Sequence, residues 1–345
     1  SDLQQFPKAL SCERKGSLTT SFAELLKPML SDSLRVDHTA PNVFQSSGAI
    51  LVRGLQLHGT SQLSELLRDS NVSFLPYTGG VAPRGEVSKG VLQASLEPGE
   101  LNIEPHWEMS YAAVFPHLLL FLCHRRPAAQ GEGLTPITDG RAVLRTLRQL
   151  GIAQKFEERG VLYRFYYPSK YDNSSLFSSF VWETAFRTEN KDDVESFLAS
   201  RKRDFPSLQW KWLRTSARGP SALEYTFRNE AVVTHPHSPG EQVWFNQITS
   251  MHRSYFHSHP TFPDLIDVPV PYVAANGNSC QRRYPFDTAY GDGSEIPEET
   301  IRTIRQVYWN HSVVFQWEEG DLLILDNMVA GHARMSYDSK SSERE

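Results

Sequence analysis

The chain is poor in cysteine. Cys12, Cys123 and Cys280 are the three present in 345 residues, far apart and without a CxxC pair. An odd, sparse set argues against a disulfide framework and for a reducing compartment. Long apolar runs are lacking too. The densest, Leu118 to Cys123, is far too short to cross a bilayer. The N-terminal residues contain no basic stretch followed by an apolar segment, so no secretory signal is read there. These absences lead to the expectation of a cytoplasmic, soluble intracellular protein with no membrane partner. Charge of one sign is not in excess either. The net charge is -5, acids and bases are mixed, and no basic stripe exists, which argues against nucleic acid as a partner. Internal repeats and low-complexity tracts are missing. So is a glycine-rich phosphate loop, which disfavours a nucleotide-dependent doubly wound enzyme.

The 39% hydrophobic content is enough for a substantial core. Helical spacing over Ser21 to Met29 puts Phe22, Leu25, Leu26 and Met29 on one face. Gly48 to Leu55 predicts a short buried strand. Thr60 to Asp69 predicts a helix capped by Thr60 or Ser61, with Leu63, Leu66 and Leu67 inward. Short β-like runs broken by Gly and Pro follow from Val72 to Pro136. Asp139 is placed to cap a helix over Arg141 to Leu150, ended by Gly151. A charged helix is expected over Asp192 to Arg203, and another from Pro297 to about Trp309. Strands over Val313 to Trp317 and Leu322 to Leu325 come last. Helices decorating many short strands, with no βαβ rhythm, imply a mainly β sandwich or barrel with flanking helices.

The chemistry is concentrated in EPHWEMSY, Glu104 to Tyr111. On a strand, residues two apart share a face, so His106 and Glu108 would project together. One imidazole beside one carboxylate supplies two legs of a facial 2-His-1-carboxylate triad, which leaves neighbouring coordination positions open. A second histidine must come from elsewhere. Of twelve histidines, His332 is the best placed, at the end of GDLLILDNMVAGH: a turn, a buried strand, an Asp-Asn break and a return strand. Opposite sheets of one sandwich would bring the two segments to a common site.

Four blocks in order carry a resemblance: HWEMSYAAVFPHLLLFLC, GEGLTPITDGRAVL, VWFNQI and GDLLILDNMVAGHARMSY. Together they resemble the TauD/TfdA superfamily, and within it the clavaminate synthase-like group. The resemblance implies a double-stranded β-helix (jelly-roll, cupin-like) core in a single oxygenase domain spanning residues 1–345. It has a helical N-terminal flank over 1–70, a core from about 72 to 345 and a helical insertion near 141–215. It implies Fe(II) held by His106, Glu108 and His332, with 2-oxoglutarate and O2 as cosubstrates. Thr135 matches the threonine that contacts the 2-oxoglutarate carboxylate. The arginine partner of that carboxylate is assigned to Arg344, with Arg334 the competitor. Tyr77, Arg84, Tyr111, Asn246 and Arg228 lie in or near matching blocks and are candidate contacts to a small polar substrate. The reaction implied is a hydroxylation, desaturation or oxidative cyclisation of an amino-acid-derived or carboxylate-bearing molecule, in specialised metabolism, with succinate and CO2 as co-products. The alternatives are a cupin-like metal-dependent lyase or isomerase, and a non-catalytic jelly-roll interaction protein.

Overall fold

The apolar runs near residues 50 and 323 become neighbouring strands with both faces covered. A computed structural model of the protein describes residues 8–11, 47–55, 57, 59–69, 75, 85–95, 97–126, 129–172, 180–214, 221–259 and 284–338. Its elements begin with β1 (Lys8–Ser11), β2 (Ala49–Arg53), α1 (Thr60–Asp69), β3 (Glu86–Ser88), β4 (Val91–Leu92), β5 (Ile103–His106), β6 (Leu118–Leu122) and β7 (Ile137–Asp139). Next come α2 (Gly140–Gln149), α3 (Ala153–Arg159), β8 (Val161–Tyr167), α4 (Trp182–Ala185), α5 (Lys191–Arg201), β9 (Gln209–Arg214) and β10 (Ser221–Asn229). The last are β11 (Val232–Thr234), β12 (Gln242–Trp244), β13 (Phe286–Tyr290), α6 (Glu298–Asn310), β14 (Ser312–Val313), β15 (Leu322–Asp326) and β16 (Ala330–Arg334). Two compact units result. The first comprises Ser1–Leu147, Val233–Phe245 and Arg305–Glu345; the second comprises Arg148–Val232 and Asn246–Ile304.

The first unit contains two four-stranded sheets, in the orders β1-β2-β15-β6 and β14-β7-β16-β5. Alternation along β2 and β15 sends side chains to two cores. Ala49, Leu51, Leu323 and Leu325 pack with Ile137 and Ala330 of the other sheet and with Trp317. Ile50, Val52, Leu322 and Ile324 pack against Leu63, Leu66 and Leu67 of α1. A strand covered on both faces has no place for polar residues, which is why these segments read as unbroken apolar runs. The paired sheets with helical cover form the jelly roll. The second unit is built on the antiparallel sheet β13-β8-β10-β9. Alternate residues of β8, from Val161 to Tyr167, are buried. Phe165 stacks on Tyr225 at 4.5 Å, and burial pushes the Tyr167 hydroxyl up to about 12.

Most helix expectations match. Asp139 Oδ1 accepts from the backbone N–H of Arg141 at 2.9 Å and of Ala142 at 3.4 Å, capping α2 as read. Gly151 ends that stretch with φ +70°. The helix over 21–29 lies outside the described residues. The flank 1–70 contributes β1 and β2 as well as α1, and the stretch 141–215 carries the strands β8 and β9 beside its four helices. The strand over 313–317 is cut short, because only Ser312–Val313 pairs. Gln316 is met by side-chain bonds instead of a ladder. Arg53 donates to the Gln316 carbonyl at 2.5 Å, and Gln316 Oε1 accepts from Gly131 N at 3.0 Å. No helix among the described residues is long and apolar enough to cross a membrane.

Candidate metal centre

His106 is the last residue of β5, and His332 lies directly opposite it on β16. The two histidines are therefore cross-strand neighbours in one sheet, not residues of facing sheets as expected. Direct opposition puts both rings on the same face, 4.3 Å apart between centroids. The strand ends before Glu108, which corrects the argument from alternation. Met109 adopts φ +54°, and Ser110 N donates to Trp107 O at 3.1 Å, closing a turn. Glu108 Oε2 comes within 3.8 Å of His106 Nε2 and 3.7 Å of His332 Nε2. All three donor atoms lie within 4.8 Å of one another. For bonds of about 2.1 Å, cis ligands sit about 3 Å apart, so closing the separations by about 1–2 Å seats an ion. The Glu104 carbonyl accepts from His106 Nδ1 at 3.0 Å, which fixes the tautomer with its lone pair on Nε2. Two imidazoles and a carboxylate on one face suit iron(II) with three open positions.

Asn327, missed in the sequence, is the reason the turn holds Glu108 in place. Its amide stands in for a missing strand: Oδ1 accepts from Glu108 N at 2.8 Å, and Nδ2 donates to Glu108 O at 2.9 Å and to Pro116 O at 2.8 Å. Asp326 organises the same bend. Its Oδ1 accepts from Met328 N at 2.9 Å, and its Oδ2 accepts from His235 Nε2 at 2.9 Å. The polar pair Asp326-Asn327 closing an apolar strand was the available signal. Trp107, fully buried, lies against Gly331; a Cβ on that glycine would sit 3.0 Å from the indole. The HWE and GH segments thus fit together through a ring and a glycine. Phe121 of the facing sheet covers His332 at 5.0 Å between centroids.

The other candidates are dispersed. Thr135 is buried beside β7, and its Oγ1 accepts from Trp317 Nε1 at 2.9 Å. Arg334 donates to the carbonyls of Glu97 at 3.1 Å and Leu101 at 3.0 Å, and also to that of Pro98. Tyr111 is buried three residues beyond Glu108, close to the same turn. Asn246 and Arg228 belong to the second unit. Asn246 donates to Ala231 O at 2.8 Å and accepts from Ile248 N at 3.1 Å, while Arg228 lies exposed on β10. Tyr77, Arg84 and Arg344 fall outside the described residues. A cleft of about 290 Å³ in the second unit, lined by Ser169, Tyr171, Trp182, Glu183 and Lys191 among others, includes no triad residue. Its hydrogen-bonding groups already serve one another, as where Ser169 donates to Glu183 at 2.5 Å.

Residues 29–345 match the model of the taurine catabolism dioxygenase TauD, TfdA family. The chain belongs to this family. Over 309 residues it is 28% identical to the dapdiamide synthesis protein DdaC of Enterobacter agglomerans, covering 89% of this chain and 84% of that one. A clavaminate synthase-like protein of Arabidopsis thaliana is 24% identical over 341 residues, covering 96% and 90%. Among solved structures, PvcB of Pseudomonas aeruginosa aligns with 97% of this chain and 82% of its own, at 15% identity and a TM-score of 0.46. As a TauD-family member the protein is an Fe(II)/2-oxoglutarate-dependent dioxygenase. The donor set formed by His106, Glu108 and His332 is chemically suited to that metal.

Proposed function

We propose that this TauD-family enzyme oxidises a small, amino-acid-derived or carboxylate-bearing molecule, by hydroxylation, desaturation or oxidative ring closure. The observation that carries the reading is the convergence of the half-buried His106 with the buried Glu108 and His332. Similarity over most of the chain to a protein of dapdiamide synthesis supports a substrate from small-molecule assembly. When bound, iron(II) supplies the redox centre at which O2 and 2-oxoglutarate are converted, with succinate and CO2 as co-products. The protein's part is positional. His106 and His332 present Nε2 lone pairs, Glu108 supplies the charge, and Phe121 shields one side from water. Thr135 donates to the distal carboxylate of 2-oxoglutarate. Arg344 is its charge partner, a reading favoured by the three carbonyls that occupy Arg334. Tyr111, near the Glu108 turn, is the foremost substrate contact. A cytoplasmic location fits this chemistry.

Anaerobic titration with iron(II) and 2-oxoglutarate, followed by visible absorption, is expected to give a one-to-one charge-transfer band. Succinate formation then screens amino-acid-derived substrates. His106→Ala and Glu108→Ala are expected to lose both the band and turnover, with far-ultraviolet circular dichroism unchanged. Full turnover by either variant, or turnover without oxygen, would overturn the reading.

A further inference from the structure

We propose that Arg305 is a positioning residue for the candidate metal centre: its paired bonds to Glu104 hold the carbonyl that orients the imidazole of His106. The inference rests on the reading of His106 as an iron(II) ligand. Among the described residues, β5, which ends at His106, is an outer strand of its sheet, paired with β16. The register slips within it. His106 lies opposite His332 and Ile103 opposite Arg334, so three steps along β5 match two along β16. The extra residue makes a bulge over Glu104 and Pro105, where the ladder is interrupted. Proline has no N–H to give a partner strand, and bulges and outer strands are where it is tolerated. Pairing with β16 therefore does little to fix the Glu104–Pro105 peptide. Its carbonyl, Glu104 O, is the one that accepts from His106 Nδ1 at 3.0 Å.

The anchoring comes from α6. Arg305 Nε donates to Glu104 Oε2 at 2.7 Å and Nη2 to Oε1 at 3.1 Å, a two-bond fit of guanidinium to carboxylate. Three residues on, Tyr308 stands edge-on to Trp107 at 5.3 Å. Residues three apart share a helix face, so one face of α6 grips the chain at Glu104 and at Trp107, on either side of His106. All four gripping residues belong to the first unit. Glu104 and Arg305 are half-buried, which leaves their pair less screened than one in open water. Glu104 also precedes a proline, which confines its backbone to extended geometry. With the carboxylate anchored as well, the carbonyl cannot swing away from His106 unless the paired bonds open. A carbonyl only accepts, so Nδ1 keeps the proton and the lone pair stays on Nε2, the atom turned to Glu108.

The test is competition for iron(II) between the anaerobic protein and a chelator, joined to proton–nitrogen correlation spectra of the metal-free protein at mildly alkaline pH. Arg305→Gln and Glu104→Gln are each expected to weaken iron(II) binding about 10-fold. Combined, they should weaken it by less than about twofold more than either alone, because both break the same pair. In the spectra the His106 ring is assigned by its loss in His106→Ala. Its proton should sit on Nδ1 in the parent and be divided between both ring nitrogens in either variant. Should Arg305→Gln not fold, Glu104→Gln opens the clasp from the strand side. Unchanged affinity in both variants, with iron(II) binding lost in His106→Ala, would refute the role of Arg305 alone. Binding kept by His106→Ala would refute the ligand reading and the inference with it. Weaker binding with the His106 proton still held on Nδ1 would reduce the pair to a structural contact and overturn the proposal.

Discussion

At the scale of single residues, the candidate metal centre depends on an amide outside its three donors. Asn327 is fully buried and its three hydrogen bonds replace the strand partner that Glu108 lacks. Truncation would leave Glu108 N, Glu108 O and Pro116 O short of partners in a dry setting, costing about 2–4 kcal/mol of stability. It would also loosen the ligand. Asn327→Ala is expected to lower iron(II) affinity about 10- to 100-fold, measured by competition with a chelator. Unchanged affinity would mean that the Glu108 turn holds itself. Gly331 shows the same dependence in space rather than in bonding, because the Trp107 indole takes the room a side chain would need.

At the scale of elements, α2 and the end of α6 are joined across the first unit. His311 Nε2 lies 2.7 Å from Thr146 Oγ1, and the His311 carbonyl accepts from Asp139 N at 3.2 Å. Burial holds the His311 imidazole below its ordinary 6.5, aided by Arg145 and opposed by Asp139. A histidine with a depressed native pKa binds fewer protons folded than unfolded, so stability rises with pH across that window. Its contribution is complete above about 6.5 and lost as pH falls through the native value. Thermal melting from pH 7.5 to 5 is expected to show a falling midpoint that His311→Asn flattens. An identical acid limb in the variant would assign the loss to other groups. These joints were only half visible in the chain. The cap at Asp139 follows from residue type and spacing, whereas the reach from α2 to His311 links residues far apart in sequence.

At the scale of the molecule, metal binding should report on the folded first unit. The three candidate donors come from two strands and a turn that meet only in the native state. An ion that binds the folded form alone stabilises it by about 2.7 kcal/mol at a hundredfold excess over its dissociation constant. Chelation of iron is therefore expected to lower the melting midpoint by several degrees, and His106→Ala should abolish that dependence. A metal-independent midpoint in the parent protein would contradict the site. The division into two units was not legible, since the period of two along β8 marks a half-buried strand without saying which sheet it joins.

The sequence by itself determined the candidate donor set, the apolar strands and the Asp139 cap, because these depend on residue type and on periods of two or 3.6 residues. Only the tertiary structure decided that His106 and His332 are cross-strand neighbours, that Glu108 lies on a turn clamped by Asn327, and that Trp317 leaves the ladder to reach Thr135. Each of these rests on hydrogen bonds between residues some two hundred positions apart. No local pattern encodes such a partnership, because the energy that selects it exists only once the chain is packed.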